Sequence, residues 1–396
     1  MSVSGSDTGV HGQVADGWGA VADELAASVE RGDDTGASVA VYHRGRCVVD
    51  VAAGSFDAAG SAPYDQRTLQ LVFSTTKGIT AIAVAMCMQR GLLRYDDAVA
   101  AHWPEFAAEG KGDATVAQLL SHQCGLITAD GLSLDEALDW DTVTARLAAG
   151  APEWPIGTGH GYHALTFGWL AGELVRRVDG RSLGRFVADE IAGPLGVELW
   201  IGLPESEAHR VSPLIGGLTV PDDLDPAVKA MIDQVMGPET RGGRALSMSG
   251  AFSVDGAFNR RDVHAAEIPA ANCITRAGAL AKVYAATLQP IDGVELIDHA
   301  TRELIRTQVT PPDEPDLCLL MPTTFGMGFM THGLFTPYAG PGSYGHPGAG
   351  GSVAFAQPER ELAFAYAMNT MSPNLAGDLR AQRLIDAVTT LIDTAA

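Results

Sequence analysis

Ser74 and Lys77, three residues apart, are the pair in this sequence whose types and spacing most directly suggest chemistry. They sit where an apolar, strand-like run, Thr68–Phe73, gives way to a long apolar stretch from Ile79 to Arg90. On a helix, positions i and i+3 share one face, so the hydroxyl and the amine would touch. A helix N-terminus adds unpaired N–H groups and positive potential, which favour negative charge developing there. Serine is a poor nucleophile until a base takes its proton. Lysine is such a base only as the neutral amine. Bringing its pKa from about 10.4 to near neutrality costs about 4 kcal/mol, and burial among apolar groups supplies such a shift. A tyrosine aimed at the same hydroxyl would share the task as its phenolate. The expected chemistry is attack of an activated serine on a carbonyl, through a covalent acyl-enzyme. Alone, the motif arises easily by chance, and its structural alternative is an N-cap serine with a solvated lysine.

Other chemistries find little support. The sequence has no G-x-S-x-G elbow, no H-E-x-x-H run, and no G-x-G-x-x-G or P-loop between a strand and a helix. His160 and His163 are three apart, but no third ligand accompanies them, so neither a metal nor any other cofactor is expected.

The elements that must position the pair follow from periodicity. Residues 1–14 read as a loose polar tail and Val14–Val29 as a helix. Two strands, Ala37–His43 and Cys47–Ala53, flank a hairpin turn. The stretch from Ile79 to Arg90 is apolar on most sides, which predicts a buried helix ending at Gly91. Further helices are expected at Val116–His122, Leu134–Ala149, Leu165–Asp179 and Thr275–Leu288. Segment 203–262 shows little periodicity, and so long an irregular region is usually functional. It and the loop 310–345 are expected to shape a substrate pocket. Gly351–Gln357 and Leu362–Asn369 read as strands around Pro358-Glu359-Arg360, and Leu379–Thr394 as a closing helix.

Strands near both ends with helices between them predict an α+β fold: an antiparallel sheet built from both termini, flanked by helices, with an inserted, mostly helical domain. The expected division is 15–95 plus 265–396 for the sheet domain and 96–264 for the insertion, with the catalytic cleft between them.

Composition bounds the partners. Of 396 residues, 46% are hydrophobic and 19% charged, enough apolar material for a sizeable core. A net charge of −22, from 48 acidic and 26 basic residues, repels nucleic acid and anionic lipid, so neither is an expected partner. The longest strongly apolar stretch, Ile79 to Met88, falls far short of the roughly 20 residues of a membrane span. The first residues lack a basic region and an apolar core, and five dispersed cysteines form no CxxC pair. Reduced thiols and a cytoplasmic location are therefore expected. Oligomeric state leaves no mark in the sequence.

Five segments in order carry a resemblance: Phe73-Ser-Thr-Thr-Lys-Gly78, Leu119-Leu-Ser-His-Gln-Cys-Gly-Leu126, Trp154-Pro-Ile-Gly157, Gly161-Tyr-His-Ala-Leu-Thr-Phe-Gly168 and Gly345-His-Pro-Gly-Ala-Gly-Gly-Ser352. Over roughly residues 15 to 392 the chain resembles the serine β-lactamase and penicillin-binding-protein superfamily, nearest its class C-like esterase branch of family VIII-type carboxylesterases. The resemblance implies that Ser74 is acylated, with Lys77 and Tyr162 as its proton partners. It implies an oxyanion hole from the backbone N–H groups of Ser74 and Ala349. It puts His346 and Gly348 on the strand edging the cleft, with His346 hydrogen-bonded to the tyrosine or the substrate, Trp154 in the cleft wall and His163 in a supporting place. His122 is expected in a loop network.

Two departures from the family pattern bear on substrate. Tyr162-His163-Ala164 stands where β-lactamases carry Tyr-x-Asn, and His346-Pro347-Gly348 where they carry Lys-Thr-Gly. The groups that would grip a lactam amide and a drug carboxylate are missing, which points toward small carboxylic esters. The alternatives are an acyltransferase or amide hydrolase, a weak β-lactamase or D-amino-acid peptidase, and an inactive ligand-binding homologue.

Overall fold

A computed structural model describes residues 2–3, 9–217, 226–373 and 377–395. Residues 218–225, part of the irregular segment 203–262, lie outside the described residues.

Eight antiparallel strands form the main sheet, drawn from both ends of the chain. They are β1 (Ser2–Val3), β2 (Val10–Val14), β3 (Gly36–His43), β4 (Arg46–Gly54), β8 (Met330–Thr331), β9 (Tyr344–Pro347), β10 (Val353–Gln357) and β11 (Leu362–Met368). Their order is β1-β2-β4-β3-β11-β10-β9-β8, so the two ends of the chain meet where β3 pairs with β11. Three short strands, β5 (Gln70–Leu71), β6 (Leu199–Trp200) and β7 (Ile274–Thr275), make a second sheet in the order β5-β7-β6.

Strand alternation sorts side chains by size. Val39, Val41, Phe355, Phe364 and Tyr366 share one core with helices α1 (Gly19–Glu30) and, at the other end of the chain, Leu379–Ala395. The intervening alanines, Ala40, Ala354, Ala356, Ala363, Ala365 and Ala367, face the other core. That core contains α2 (Thr76–Gln89) and α3 (Thr166–Asp179), which pack on each other, and α4 (Ala277–Ala285), which lies across β3, β10 and β11. The small residues on this face bring α4 close to the sheet. In α2 every residue from Thr76 to Cys87 is buried, the consequence of a helix apolar all round.

Several expectations are corrected. Val10–Val14 is a strand paired with β4, so residues 1–14 are not a tail throughout, and α1 begins at Gly19 rather than Val14. The helix expected over Leu134–Ala149 is two, Leu134–Ala137 and Trp140–Ala149. Asp139 separates them because its carboxylate accepts the Thr142 N–H and starts the second. Segment 203–262 holds helices at Pro226–Met236 and Arg241–Ser247.

Candidate active site

Ser74 lies in a single 3-10 turn, Phe73–Thr75, that leads into α2. Phe73 holds φ = 43°, in the left-handed region where a bulky residue is strained, at a cost of order 1–3 kcal/mol. Its ring meets Phe258 edge-on with centroids 4.8 Å apart. This kink turns the chain sharply from β5 into α2 and leaves Ser74 half-buried, facing a cavity.

Lys77 stands in the first turn of α2 and is fully buried. Its Nζ lies 3.0 Å from Ser74 Oγ and donates to the Ala164 carbonyl at 2.6 Å and the Ala270 carbonyl at 3.0 Å. Ala270 comes near because Gly168 on α3 carries no side chain. A Cβ there would sit 2.5 Å from Ala270 N. Burial pushes the Lys77 amine well below its ordinary value.

Tyr162 arrives from the irregular segment before α3. Its hydroxyl donates to Ser74 Oγ at 2.8 Å, and Lys77 Nζ lies 4.8 Å from its ring centroid. Burial raises the phenol above its ordinary value, partly offset by the bond to Ser74. Its ordinary state is therefore the neutral phenol, not the phenolate considered from sequence. Ser74, Lys77 and Tyr162 thus converge on one oxygen.

Strand β9 forms the opposite edge. Gly348 follows it, and a Cβ at that position would meet Ser352 Oγ at 2.2 Å and the Val72 carbonyl at 2.3 Å. Only glycine permits this approach. Ser352 Oγ donates to the Val72 carbonyl at 2.8 Å and lies 3.1 Å from Thr75 Oγ1, which ties this edge to the nucleophile's own turn. Ala349 lines the same cavity as Ser74.

The remaining sequence candidates sit elsewhere. His346 makes no hydrogen bond to Tyr162: its ring stacks on the tyrosine at 5.8 Å and 26°, and its Nδ1–H donates to the Pro347 carbonyl at 2.7 Å. His163 is buried away from Ser74. Its Nδ1–H donates to the Gly161 carbonyl at 2.6 Å, and its Nε2 accepts the Leu126 N–H at 3.0 Å. Burial lowers it to about 4, so it is neutral. Trp154 does not line the Ser74 cavity. Its ring packs over Gly161 and edge-on to His163, and it borders a separate cleft with Glu109, Asp113 and Gln118. His122 takes the His163 N–H on Nδ1 at 3.1 Å, and its ring packs among Tyr162, Phe167 and Phe325, a loop network.

The cavity above Ser74 holds about 440 Å³. Its wall is apolar, with Phe73, Leu165, Leu214, Leu246, Phe252, Phe258 and Met371. Among the described residues Asp255 is the one charged residue lining it. Segment 203–262 supplies much of this wall, whereas loop 310–345 supplies none of it and packs behind Tyr162 through Phe325. Sequence reading missed the two carbonyls that hold Lys77, since any residue presents a carbonyl, and missed Ser352, whose partners lie about 280 residues away.

A family model described as Beta-lactamase matches residues 21–389. Esterase/beta-lactamase LipL of Mycobacterium tuberculosis (strain ATCC 25618 / H37Rv) is 38% identical over 350 residues, which are 85% of this chain and 77% of that protein. The crystal structure of a family VIII carboxylesterase matches with a TM-score of 0.86 at 35% identity, covering 96% of this chain and 99% of that one. A penicillin-binding protein homolog from Caulobacter crescentus matches with a TM-score of 0.85 at 38% identity, with the same coverages of 96% and 99%.

Proposed function

The chain belongs to the beta-lactamase family, and we propose that within it this protein is a serine carboxylesterase that hydrolyses small carboxylic esters through an acyl-enzyme on Ser74. The observation that carries this reading is the convergence of Lys77 Nζ at 3.0 Å and Tyr162 OH at 2.8 Å on Ser74 Oγ, at the floor of an apolar cavity.

The hydrogen bonds around Lys77 support one arrangement of the protons. A neutral amine has two N–H groups and one lone pair. The two N–H groups go to the Ala164 and Ala270 carbonyls, so the lone pair faces Ser74 Oγ. Ser74 then donates its O–H to Lys77 and accepts the Tyr162 O–H. As Oγ attacks the ester carbonyl, the serine proton passes to Lys77, and the carbonyl electron pair moves onto oxygen. The backbone N–H groups of Ser74 and Ala349 receive that oxyanion, each worth about 3 kcal/mol in the transition state. The C–O bond to the alcohol breaks, and the alcohol leaves with a proton supplied from the Tyr162–Lys77 side. Water, activated by the same pair, releases the acid and restores Ser74.

Substrate charge follows from the wall. No lysine or arginine lines the cavity among the described residues, while Asp255 does. A drug carboxylate would find no partner there, which favours esters over penicillins.

We also divide the chain into a sheet domain, 15–95 plus 265–396, and a helical insertion, 96–264. The main sheet supports this in outline: among the described residues its strands come from 2–54 and 330–368, and Val10–Val14, paired with β4, extends the sheet domain below residue 15. No helix among the described residues is long and apolar enough to cross a membrane. All five cysteines are unpaired, which supports placing the protein in the cytoplasm.

A Ser74→Ala protein tested on a panel of p-nitrophenyl esters, alongside nitrocefin, decides the matter. Loss of ester turnover and of fluorophosphonate labelling is expected, with little nitrocefin hydrolysis by the wild type. Full esterase activity in Ser74→Ala would end the reading.

A further inference from the structure

We propose that Asp316 is a positioning residue that fixes the Tyr162 hydroxyl over Ser74, a role that rests on the esterase reading above. Asp316 is fully buried. Its Oδ1 accepts the backbone N–H groups of Tyr162 at 3.0 Å, Cys318 at 2.8 Å and Leu319 at 2.9 Å. Its Oδ2 accepts the Thr323 hydroxyl at 3.0 Å, and that same oxygen of Thr323 lies 3.1 Å from His160 Nε2. A buried carboxylate is costly unless hydrogen-bonded, and four donors satisfy this one.

The arrangement matters because Tyr162 belongs to no helix or strand. No ladder of regular structure orients its backbone; Asp316 takes its N–H instead. One residue further on, the Leu317 N–H donates to the His160 carbonyl at 2.9 Å, which zips segment 160–162 to segment 316–319. The Tyr162 ring lies parallel to Phe325, with planes 10° apart and centroids 6.3 Å apart. One loop therefore holds both the backbone and the ring of the tyrosine. A phenol hydroxyl sits at the far end of its side chain, so a small backbone rotation becomes a large displacement at the oxygen. A misplacement of about 1 Å at a reacting group costs on the order of 10²-fold in rate.

A double-mutant cycle with Asp316→Leu and Tyr162→Phe tests this on p-nitrophenyl butyrate. Asp316→Leu has a side chain of similar size and takes the acceptor away from the Tyr162 N–H. It should lower kcat by about 10- to 100-fold with KM within about twofold. In the Tyr162→Phe background the same change should cost no more than about twofold, because the group it positions is already gone. A merely structural role would multiply the two losses undiminished. That result, or wild-type kcat in Asp316→Leu, would overturn the proposal. Should Asp316→Leu fail to fold, Asp316→Asn, which leaves the Tyr162 N–H a neutral and weaker acceptor, completes the same cycle with a smaller loss and is judged by the same criterion. A fully active Tyr162→Phe protein would instead remove the tyrosine from the mechanism and take this role with it, while an additive cycle discards the role of Asp316 alone.

Discussion

His346 lies stacked on Tyr162, ring centroids 5.8 Å apart and planes 26° apart, with no hydrogen bond between them. The imidazole therefore braces the phenol as a flat surface and does not exchange protons with it. Burial holds His346 well below its ordinary value, so it is neutral. An aromatic replacement keeps the brace. His346→Phe is expected to retain kcat/KM within about fivefold, and His346→Ala to lose about tenfold, in line with roughly 0.5–1.5 kcal/mol for an aromatic pair. Steady-state kinetics on one ester compare them. Equal losses in the two variants would show that the nitrogen matters, not the surface.

The buried Lys77 amine should leave a signature in stability. Its folded pKa is depressed, while the unfolded lysine titrates near 10.4. Between those two values the unfolded chain binds a proton that the native protein does not, so stability rises with pH. The contribution is at most about 1.4 kcal/mol per pH unit and levels off above the unfolded value. In Lys77→Met this contribution vanishes. Urea unfolding of both proteins from pH 7 to 10 should show the wild type gaining on the variant as pH rises. Parallel curves would mean that Lys77 is charged in the folded protein.

Gly348 sets how closely the β9 edge approaches the nucleophile. Its missing Cβ would fall 2.3 Å from the Val72 carbonyl, which is backbone and has no rotamer to escape by. Gly348→Ala should displace Ala349 from its proposed oxyanion position and lower kcat by about 100-fold, comparable to loss of one oxyanion donor. Ser352→Ala, which removes the side-chain hydrogen bonds to Val72 and Thr75 but adds no clash, should cost less. Kinetics on both variants rank the two effects, and a fully active Gly348→Ala would exclude this edge from catalysis.

Phe258 touches Phe73 at 4.8 Å and stacks on Phe252 at 5.5 Å, so it anchors the aromatic wall of the cavity. Phe258→Ala should enlarge the cavity and raise the activity ratio of hexanoate to acetate esters by several-fold. A bulkier Ala257→Trp should lower that ratio. An ester series of rising acyl length measures both, and an unchanged ratio would mean that the acyl chain lies elsewhere.

The sequence revealed some of this and hid the rest for physical reasons. Hydrophobic periodicity marks the paired strands near the C-terminus and the buried α2, because burial demands apolar side chains there. The Ser74–Lys77 pair is readable because three residues on a helical path keep two side chains together. Tyr162 and Gly348 come to Ser74 from 88 and 274 positions away, and only whole motifs marked them. Asp316 and the carbonyls of Ala164 and Ala270 left no signal, since their work is done by or upon backbone groups. Trp154 borders a different cleft although its motif neighbours the tyrosine in sequence, because its ring packs on Gly161 and edge-on to His163.

Arg380 links the last helix to the turn after Gly348. Its guanidinium, 7% exposed, pairs with Asp34 at 3.0 Å and Asp378 at 2.7 Å and donates to the Gly350 carbonyl at 2.6 Å. Gly350 follows Ala349, so this bond restrains the turn that carries the proposed oxyanion donor. Asp34 is itself fully buried and receives the Ser28 and Tyr366 hydroxyls. Removing one partner of a buried pair strands the other charge, at a cost of about 3–5 kcal/mol. Arg380→Met should therefore lose about that much in urea unfolding and also lower kcat. Replacing the charges together, as in Arg380→Met with Asp34→Asn and Asp378→Asn, should recover part of the stability. It should not recover kcat, because the Gly350 carbonyl still lacks its donor. Recovery of both together would mean that Arg380 serves folding alone.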